Sequence, residues 1–154
     1  MLGAQHHRSF TLIDLVMVLS VITIVAAIAA PRYANALVRY RAEAAARRII
    51  ADIRLAQQTA KTTSSSRTIS FDTTNHAYSI PNVRALDGQS MTYVVMLQEP
   101  PYLARIASVD MGGDAQLTFD GYGVPDSGGV ITVQVGEETR TVVINPDTGS
   151  AEVQ

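Results

Sequence analysis

The chain has 154 residues, no cysteine and a formal net charge of −2 at pH 7. Without cysteine it can form neither a disulfide nor a catalytic or metal-bound thiolate. Two of its three histidines lie near the N-terminus, and we expect the third, His76, to be a solvated turn residue rather than a catalyst. The sequence also lacks a Gly-x-Ser-x-Gly motif and a P-loop, so the chain is not expected to be an enzyme.

An apolar run occupies residues 10–30, and four polar residues interrupt it: Thr11, Asp14, Ser20 and Thr23. An α-helix rises about 1.5 Å per residue, so a helix of this length matches the ~30 Å hydrocarbon core of a bilayer. A charged residue at the centre of such a helix costs about 2.5–3.5 kcal/mol on insertion scales, which makes Asp14 a candidate functional residue. The run therefore predicts a transmembrane helix.

The flanking charge predicts the orientation of this helix. Arg8 precedes the run, so the positive-inside rule places residues 1–9 in the cytoplasm and the chain after Pro31 on the opposite side. A secretory signal peptide is the alternative, because residues 27–29 are small enough at suitable spacing for cleavage. Asp14 counts against that alternative, as does the continuation of the apolar run through Pro31 into a helical pattern.

The segment Ser9-Phe10-Thr11-Leu12-Ile13-Asp14 closely resembles the processing motif of type IV pilins and type II secretion pseudopilins. That motif is Gly or Ala, then Phe-Thr-Leu-Ile-Glu, then an apolar helix. The resemblance implies cleavage after Ser9 by a prepilin peptidase and methylation of the new amino terminus at Phe10. Two residues depart from the motif, because Ser9 stands in place of Gly and Asp14 in place of Glu.

The same resemblance assigns roles to Asp14 and Pro31. With Phe10 as the first mature residue, Asp14 is the fifth and Pro31 the twenty-second, where many family members carry a helix-kinking proline. In the family, the acidic residue is thought to pair with the amino-terminal amine of the neighbouring subunit, and opposite charges attract strongly where screening is poor. Asp14 is shorter than Glu by one methylene, so the resemblance implies weaker or differently placed pairing.

After Pro31 the apolar residues thin out to steps of three and four, which predicts an amphipathic helix over residues 31–64. These are Leu37, Val38, Ala42, Ala45, Ile49, Ile53 and Ala56. Hydroxylic residues at 62–66 favour a loop and end the helix. Together with the apolar run, residues 10–62 would form one helix of roughly 80 Å, bent at the proline.

Charge is unevenly distributed along the chain. Residues 32–67 contain eight basic and two acidic side chains, a net +6, and residues 68–154 contain three arginines and eleven acids, a net −8. One interpretation of the basic segment is a solvated helix face whose arginine stems cover apolar surface. The alternatives are attraction to lipid headgroups near residues 32–41, and attraction to the acidic part of a neighbouring subunit.

From residue 67 the hydrophobic period changes to two, which predicts a β-rich head over residues 67–154. The strand candidates are residues 68–71, 77–80, 92–97, 104–109, 115–119, 129–135 and 139–144, with 151–153 as a candidate last edge strand. Residues 136–138 would join the last two long strands as a hairpin. The sequence thus predicts an α+β fold, in which a long, partly transmembrane N-terminal helix packs on a C-terminal antiparallel sheet or sandwich.

Within the pilin-like proteins, the head resembles the GspH/FimT group of minor pilins and pseudopilins. The resemblance lies in residues 117–123 (LTFDGYG), 130–133 (VITV) and 140–149 (RTVVINPDTG). Many members of the group follow the last glycine with arginine, whereas this chain continues Ser150-Ala151-Glu152.

No metal or other cofactor is expected in the head. The acids at positions 110, 114, 120 and 126 could offer oxygens to Ca²⁺, which needs six to eight ligands. They are more simply interpreted as loop residues, so no metal site is predicted.

The leading hypothesis is a minor pilin or pseudopilin, a structural subunit of a type II secretion pseudopilus or type IV pilus. Its expected partners are other pilin or pseudopilin subunits, prepilin peptidase and the bacterial inner membrane, which it crosses once with the head in the periplasm. The alternative is a FimT-like minor pilin that binds DNA for uptake. Phosphate contacts require a basic surface, and the acidic head makes nucleic acid a less expected partner.

Overall fold

The structure, a computed structural model, describes residues 12–84 and 90–154. One helix, α1, covers Leu12–Thr63, and eight strands follow it. The chain divides into two compact units between Leu37 and Val38, and α1 contributes to both. The predicted leader, residues 1–9, lies outside the described residues together with Phe10.

The first unit is an apolar helical segment with its side chains on the surface. From Leu12 to Ile28 its large hydrophobic side chains are more than half exposed. The hydroxyls of Ser20 and Thr23 donate to the carbonyls one turn back, each at 2.7 Å, which satisfies these polar groups within the helix. Within the described part of the chain, α1 is the one helix long and apolar enough to cross a membrane. Pro31 lies inside α1, while the bend predicted there stays a prediction.

The second unit, Val38–Gln154, begins with the amphipathic part of the helix. Ala42, Ala45, Ile49, Ile53 and Ala56 are buried, as the spacing predicted. Alanine dominates this buried face, and its small side chain allows the helix backbone to approach the sheets closely. The helix ends at Thr63, within the predicted hydroxylic stretch.

The strands form two four-stranded antiparallel sheets. In chain order they are β1 (Arg67–Asp72), β2 (Ala77–Pro81), β3 (Thr92–Met96), β4 (Arg105–Asp110), β5 (Gln116–Phe119), β6 (Gly129–Val135), β7 (Glu138–Ile144) and β8 (Ala151–Val153). The first sheet has the order β3-β2-β1-β5 and the second the order β4-β6-β7-β8. The predicted strands are confirmed to within a residue or so at their ends, and the hairpin turn is two residues, Gly136-Glu137, rather than three.

One continuous hydrophobic core joins the helix to both sheets. Side chains alternate between core and solvent along β6, where Ile131, Val133 and Val135 face inward. Ile69 of β1 and Leu117 of β5 are fully buried in the same core. The α+β prediction of a helix packed on an antiparallel β head is therefore confirmed, with the head resolved into two sheets.

Candidate functional site

Two of the four residues to which the sequence assigned roles lie in the described part of the chain. Asp14 is in the first described turn of α1, and its side chain is exposed. A carboxylate near a helix N-terminus is favoured by the positive end of the helix dipole. Pro31 lies further along the same helix. The predicted processing site, Ser9 and Phe10, falls outside the described residues.

The second unit contains a buried polar group that the sequence did not indicate. Asp52 on α1 is 5% exposed, whereas most of the charged side chains on this helix are solvated. Its carboxylate accepts hydrogen bonds from the Tyr78 hydroxyl at 2.5 Å, the Tyr93 hydroxyl at 3.2 Å and the Arg48 Nε at 3.0 Å. Arg48 also donates to the Tyr93 hydroxyl. These four residues are the Asp52 cluster.

The Asp52 cluster fixes two strands of the first sheet to the helix. Tyr78 belongs to β2 and Tyr93 to β3, while Arg48 precedes Asp52 by one helical turn. Burial, and then the nearby Asp52 carboxylate, raise the pKa of the Tyr78 hydroxyl far above its usual value of 10.0. The same two causes raise the pKa of Tyr93. Both tyrosines therefore stay protonated and remain hydrogen-bond donors to Asp52.

A helical pattern could have revealed this cluster. Position 52 lies three residues after Ile49 and four before Ala56, both of which are on the buried face. A carboxylate on such a face must be paired and hydrogen-bonded. The sequence shows the arginine one turn earlier. It does not show the two tyrosine partners, because they come from strands whose packing against the helix depends on the tertiary fold.

A second charged group joins the helix to β7 of the other sheet. Glu43 accepts hydrogen bonds from Arg47 at 2.7 Å and from Arg140 of β7 at 3.3 Å. Arg140 also donates to Glu138 at 2.8 Å, and Arg39 lies 3.8 Å from Glu138. The hydrogen bond from Arg47 lowers the pKa of Glu43, although burial acts in the opposite direction. Because these side chains are partly solvated, each pair contributes about 0–1 kcal/mol.

Near the C-terminal end of α1, Gln57 contacts two turns of the head. The Gln57 amide donates to the carbonyls of Gly123 and Thr148, each at 2.8 Å. Gly149 closes the second turn with φ +69°. A Cβ atom at this position would lie 2.6 Å from the buried Phe119 ring, so the ring occupies the space that a side chain would need. These contacts hold the loops after β5 and β7 against the helix.

The loop acids have local roles. Asp110 accepts the Gly113 N–H at 3.0 Å, Asp120 the Tyr122 N–H at 2.9 Å, and Asp126 the Thr118 N–H at 3.0 Å. These bonds stabilise turns. Over residues 12–84 and 90–154, no group of three or more His, Cys, Asp or Glu side chains could hold a metal ion.

His76 is confirmed as a turn residue but is not fully solvated. Its backbone has φ +48°, its ring is half-buried, and its Nδ1 is buried without a hydrogen-bond partner among the described residues. Its carbonyl accepts the Leu97 N–H at 3.0 Å, which continues the pairing of β2 with β3 by one residue.

Comparison with solved structures identifies the class of fold. The minor pseudopilin EpsH from the type 2 secretion system of Vibrio cholerae is similar to this chain, with a TM-score of 0.56 and 15% sequence identity. The similarity covers 74% of this chain and 96% of that chain. A long N-terminal apolar helix with two antiparallel sheets on its second half is thus a pseudopilin fold.

Comparison of the sequence with models of protein families identifies the family. A model of the GspH family, described as type II transport protein GspH, matches residues 45–148, which is more than half of the chain. The chain therefore belongs to the GspH family, and the predicted likeness to GspH-type pseudopilins is confirmed. No curated protein matches it.

Proposed function

We propose that this chain is a structural subunit, a minor pseudopilin of a type II secretion system, rather than an enzyme. One observation carries the proposal: the helix that packs on the GspH-type head begins as a membrane-length segment with exposed apolar side chains. A lipid bilayer or the apolar helices of neighbouring subunits would cover that surface. The similarity to EpsH, a minor pseudopilin of such a system, supports this role.

In this proposed function, each segment of the chain has its own role. Residues 1–9 are a leader removed after Ser9, and residues 10–30 anchor the mature chain in the inner membrane. Residues 31–64 continue the helix on the periplasmic side, bent at Pro31, and residues 67–154 form the periplasmic head. Other pseudopilin subunits and prepilin peptidase are the partners.

In the proposed assembly, Asp14 pairs with the methylated amino terminus at Phe10 of a neighbouring subunit. A carboxylate in hydrocarbon is costly, and an opposite charge about 4 Å away offsets that cost because screening is weak there. Assembled subunits are therefore favoured over solitary ones, and the pair sets the axial register between them.

The distribution of charge supports a protein partner more than a nucleic acid. Residues 68–154 carry a net −8, and a DNA-binding head needs a basic patch to neutralise phosphates. DNA capture is the alternative function, and salt-sensitive retardation of DNA by the purified chain in a gel would support it instead.

The experiment compares Asp14→Ala with Asp14→Glu in cells that express prepilin peptidase and the other pseudopilins. Asp14→Ala should insert into the membrane and lose nine residues normally, yet be absent from sheared pseudopili. Asp14→Glu should be incorporated at least as well as the natural chain. Normal incorporation of Asp14→Ala would reject the assembly role, and an unprocessed natural chain would reject cleavage after Ser9.

A further inference from the structure

The loop after β5 exposes two large side chains from a well-ordered backbone. We call residues 120–126 the tyrosine loop; in it, Tyr122 is 85% and Val124 50% exposed. The Asp120 carboxylate accepts the N–H groups of both residues, at 2.9 and 2.8 Å, and the Asp120 N–H donates to the Val124 carbonyl at 2.9 Å. An exposed aromatic side chain on an ordered backbone loses little conformational entropy when a partner covers it.

The C-terminal end of α1 fixes the position of the tyrosine loop. A Cβ atom at Gly121 would lie 2.9 Å from the Ser64 backbone, and one at Gly123, which has φ +80°, would collide with the Lys61 side chain. The loop therefore packs directly on the end of the helix, where Gln57 donates to the Gly123 carbonyl. It adjoins β5, which is at the opposite edge of the first sheet from β3.

Negative charge surrounds Tyr122 in this loop. Asp120 and Asp126 are both exposed, and each uses one carboxylate oxygen to accept backbone N–H groups of the head. Among the described residues, neither carboxylate forms an ion pair. A partner that fits the tyrosine loop should therefore combine positive charge with an aromatic surface.

A surface of that kind lies on α1 where the second unit begins. Tyr40 is 71% exposed, and Arg39 and Arg41 flank it, because consecutive residues of a helix are about 100° apart around its axis. The Arg39 side chain is 70% exposed and lies 3.8 Å from Glu138, while Arg41 forms no ion pair within the described part of the chain. We call residues 39–41 the basic helix face. Tyrosine and arginine are enriched in protein interfaces, where guanidinium groups stack on aromatic rings.

The tyrosine loop and the basic helix face cannot meet within one copy. Tyr40 and Lys61, which contacts the loop, lie about 30 Å apart along α1 at 1.5 Å per residue. A second copy that is shifted by this distance along the helix, without reversal, would bring its Tyr40 to Tyr122 of the first. Both copies would then carry their apolar segments towards the same side, as anchoring in one membrane requires.

We propose that the tyrosine loop of one copy binds the basic helix face of a second copy. Tyr122 would lie against Tyr40, and the two carboxylates of the loop against the two arginines of the helix. The contact is heterologous and involves a shift, so each copy keeps one surface free and repetition gives a filament rather than a closed dimer. The inference rests on the proposed function for the shared direction of the copies, and it names the surface through which their heads would stack.

Cysteine cross-linking tests this contact on the full chain in detergent, since the chain has no cysteine. Chains with Val124→Cys are mixed with chains with Ala44→Cys, one helical turn after Tyr40, and treated with a short bismaleimide. This mixture should form linked dimers at least ~10-fold faster than a mixture of Val124→Cys and Ala51→Cys, because the contact raises the effective concentration. Ala51 is the matched control, because it is exposed on the same side of α1 two turns further along.

Tyrosine substitutions placed in one partner at a time separate the contact from folding. Tyr122→Ser in the Val124→Cys chain should slow cross-linking at least ~10-fold, as loss of a central interface aromatic does, whereas in the Ala44→Cys chain it should have no effect. Tyr40→Ser should show the reverse pattern. Both tyrosines are more than 70% exposed, so neither change should lower the melting temperature.

Three results would each overturn the inference. The Ala44→Cys and Ala51→Cys mixtures could react equally fast, Val124→Cys alone could react as fast as its mixture with Ala44→Cys, or either tyrosine variant could act equally in both partners. All three are measured on the purified chain. Cleavage after Ser9 and incorporation of Asp14→Ala are measured in cells, so a failure of the proposed function is distinguishable from a failure of this contact.

Discussion

Asp52 places a carboxylate between a helix and two strands, where three donors surround it. Tyr78, Tyr93 and Arg48 each donate to it, so little of its hydrogen-bonding capacity is left unused. A buried ion pair of this kind adds little to the free energy of unfolding compared with well-packed apolar side chains. Removing one partner, however, leaves the other charge buried without compensation. The cluster therefore specifies how β2 and β3 dock on the helix.

Truncating the Asp52 cluster should destabilise the head. Asp52→Ala leaves Arg48 partly buried without its carboxylate, and we expect a loss of about 3–5 kcal/mol in the free energy of unfolding. Tyr78→Phe removes one hydrogen bond to a charged group and should cost about 1.5–3 kcal/mol. Urea unfolding of the full chain in detergent, followed by circular dichroism, measures both. Tyr122→Phe is the matched control, because that side chain is 85% exposed; equal losses for both tyrosine variants would contradict this role.

The same tyrosine should make the fold sensitive to alkali. The pKa of Tyr78 is raised in the folded state, by burial first and Asp52 second, above the value of 10.0 that the unfolded chain has. A raised folded pKa stabilises the fold below pH 10.0 and loses that contribution as pH rises further, because the unfolded chain then releases its proton more readily. The free energy of unfolding should therefore fall with pH in this range, and less steeply in Tyr78→Phe. An unchanged slope in that variant would assign the alkaline response to other groups.

At the scale of elements, the second half of α1 orders the loops of the head as well as its sheets. Gln57 bridges the turn after β5 and the turn after β7, and Gly149 lets the second of these turns lie against Phe119. The turn residues at 145–149 were recognisable in the sequence, because Asn, Pro, Asp and Gly favour turns. Their contact with the helix was not, since it depends on tertiary packing.

Gly149→Ala should therefore destabilise the head more than Gly136→Ala, because Gly136 has a similar backbone conformation but space for a side chain. Gly149 and Gly136 have φ of +69° and +58°, so alanine costs about 1–2 kcal/mol at each. At Gly149 the new Cβ would also lie 2.6 Å from the buried Phe119 ring, whereas at Gly136 its nearest neighbour is Val38 at 3.6 Å. Overpacking adds about 1–3 kcal/mol at Gly149. Thermal unfolding of the two variants gives the difference, and similar melting temperatures would show that the turn can shift away.

For the whole molecule, periodicity in the sequence predicted the elements but not how they combine. A period near 3.6 marked the helix and a period of two marked the strands, because each reflects one buried face. The change of sheet between β4 and β5 was not predictable, since alternation shows that a strand has a core face but not which neighbour it pairs with. The tyrosine partners of Asp52 were not predictable for the same reason, because they come from strands 26 and 41 residues later.

The family assignment rests on the head, while the proposed assembly rests on the helix before it. The GspH match spans residues 45–148 and begins after the apolar segment. The roles proposed for Ser9, Phe10, Asp14 and Pro31 come instead from the resemblance of the N-terminal motif. Independent parts of the sequence thus support one class of protein.

The chain builds its two sheets in interrupted order, since β1–β3 enter the first sheet, β4 the second, β5 the first again and β6–β8 the second. Neither sheet is encoded by one continuous stretch of the gene. A chimaera that exchanges a single sheet with a related subunit by one crossover would therefore inherit strands without their partners. Working hybrids should exchange residues 38–154 as a block, because the second half of α1 shares one core with both sheets. Recombination within that block is expected to be tolerated less well than recombination at its border with the apolar segment.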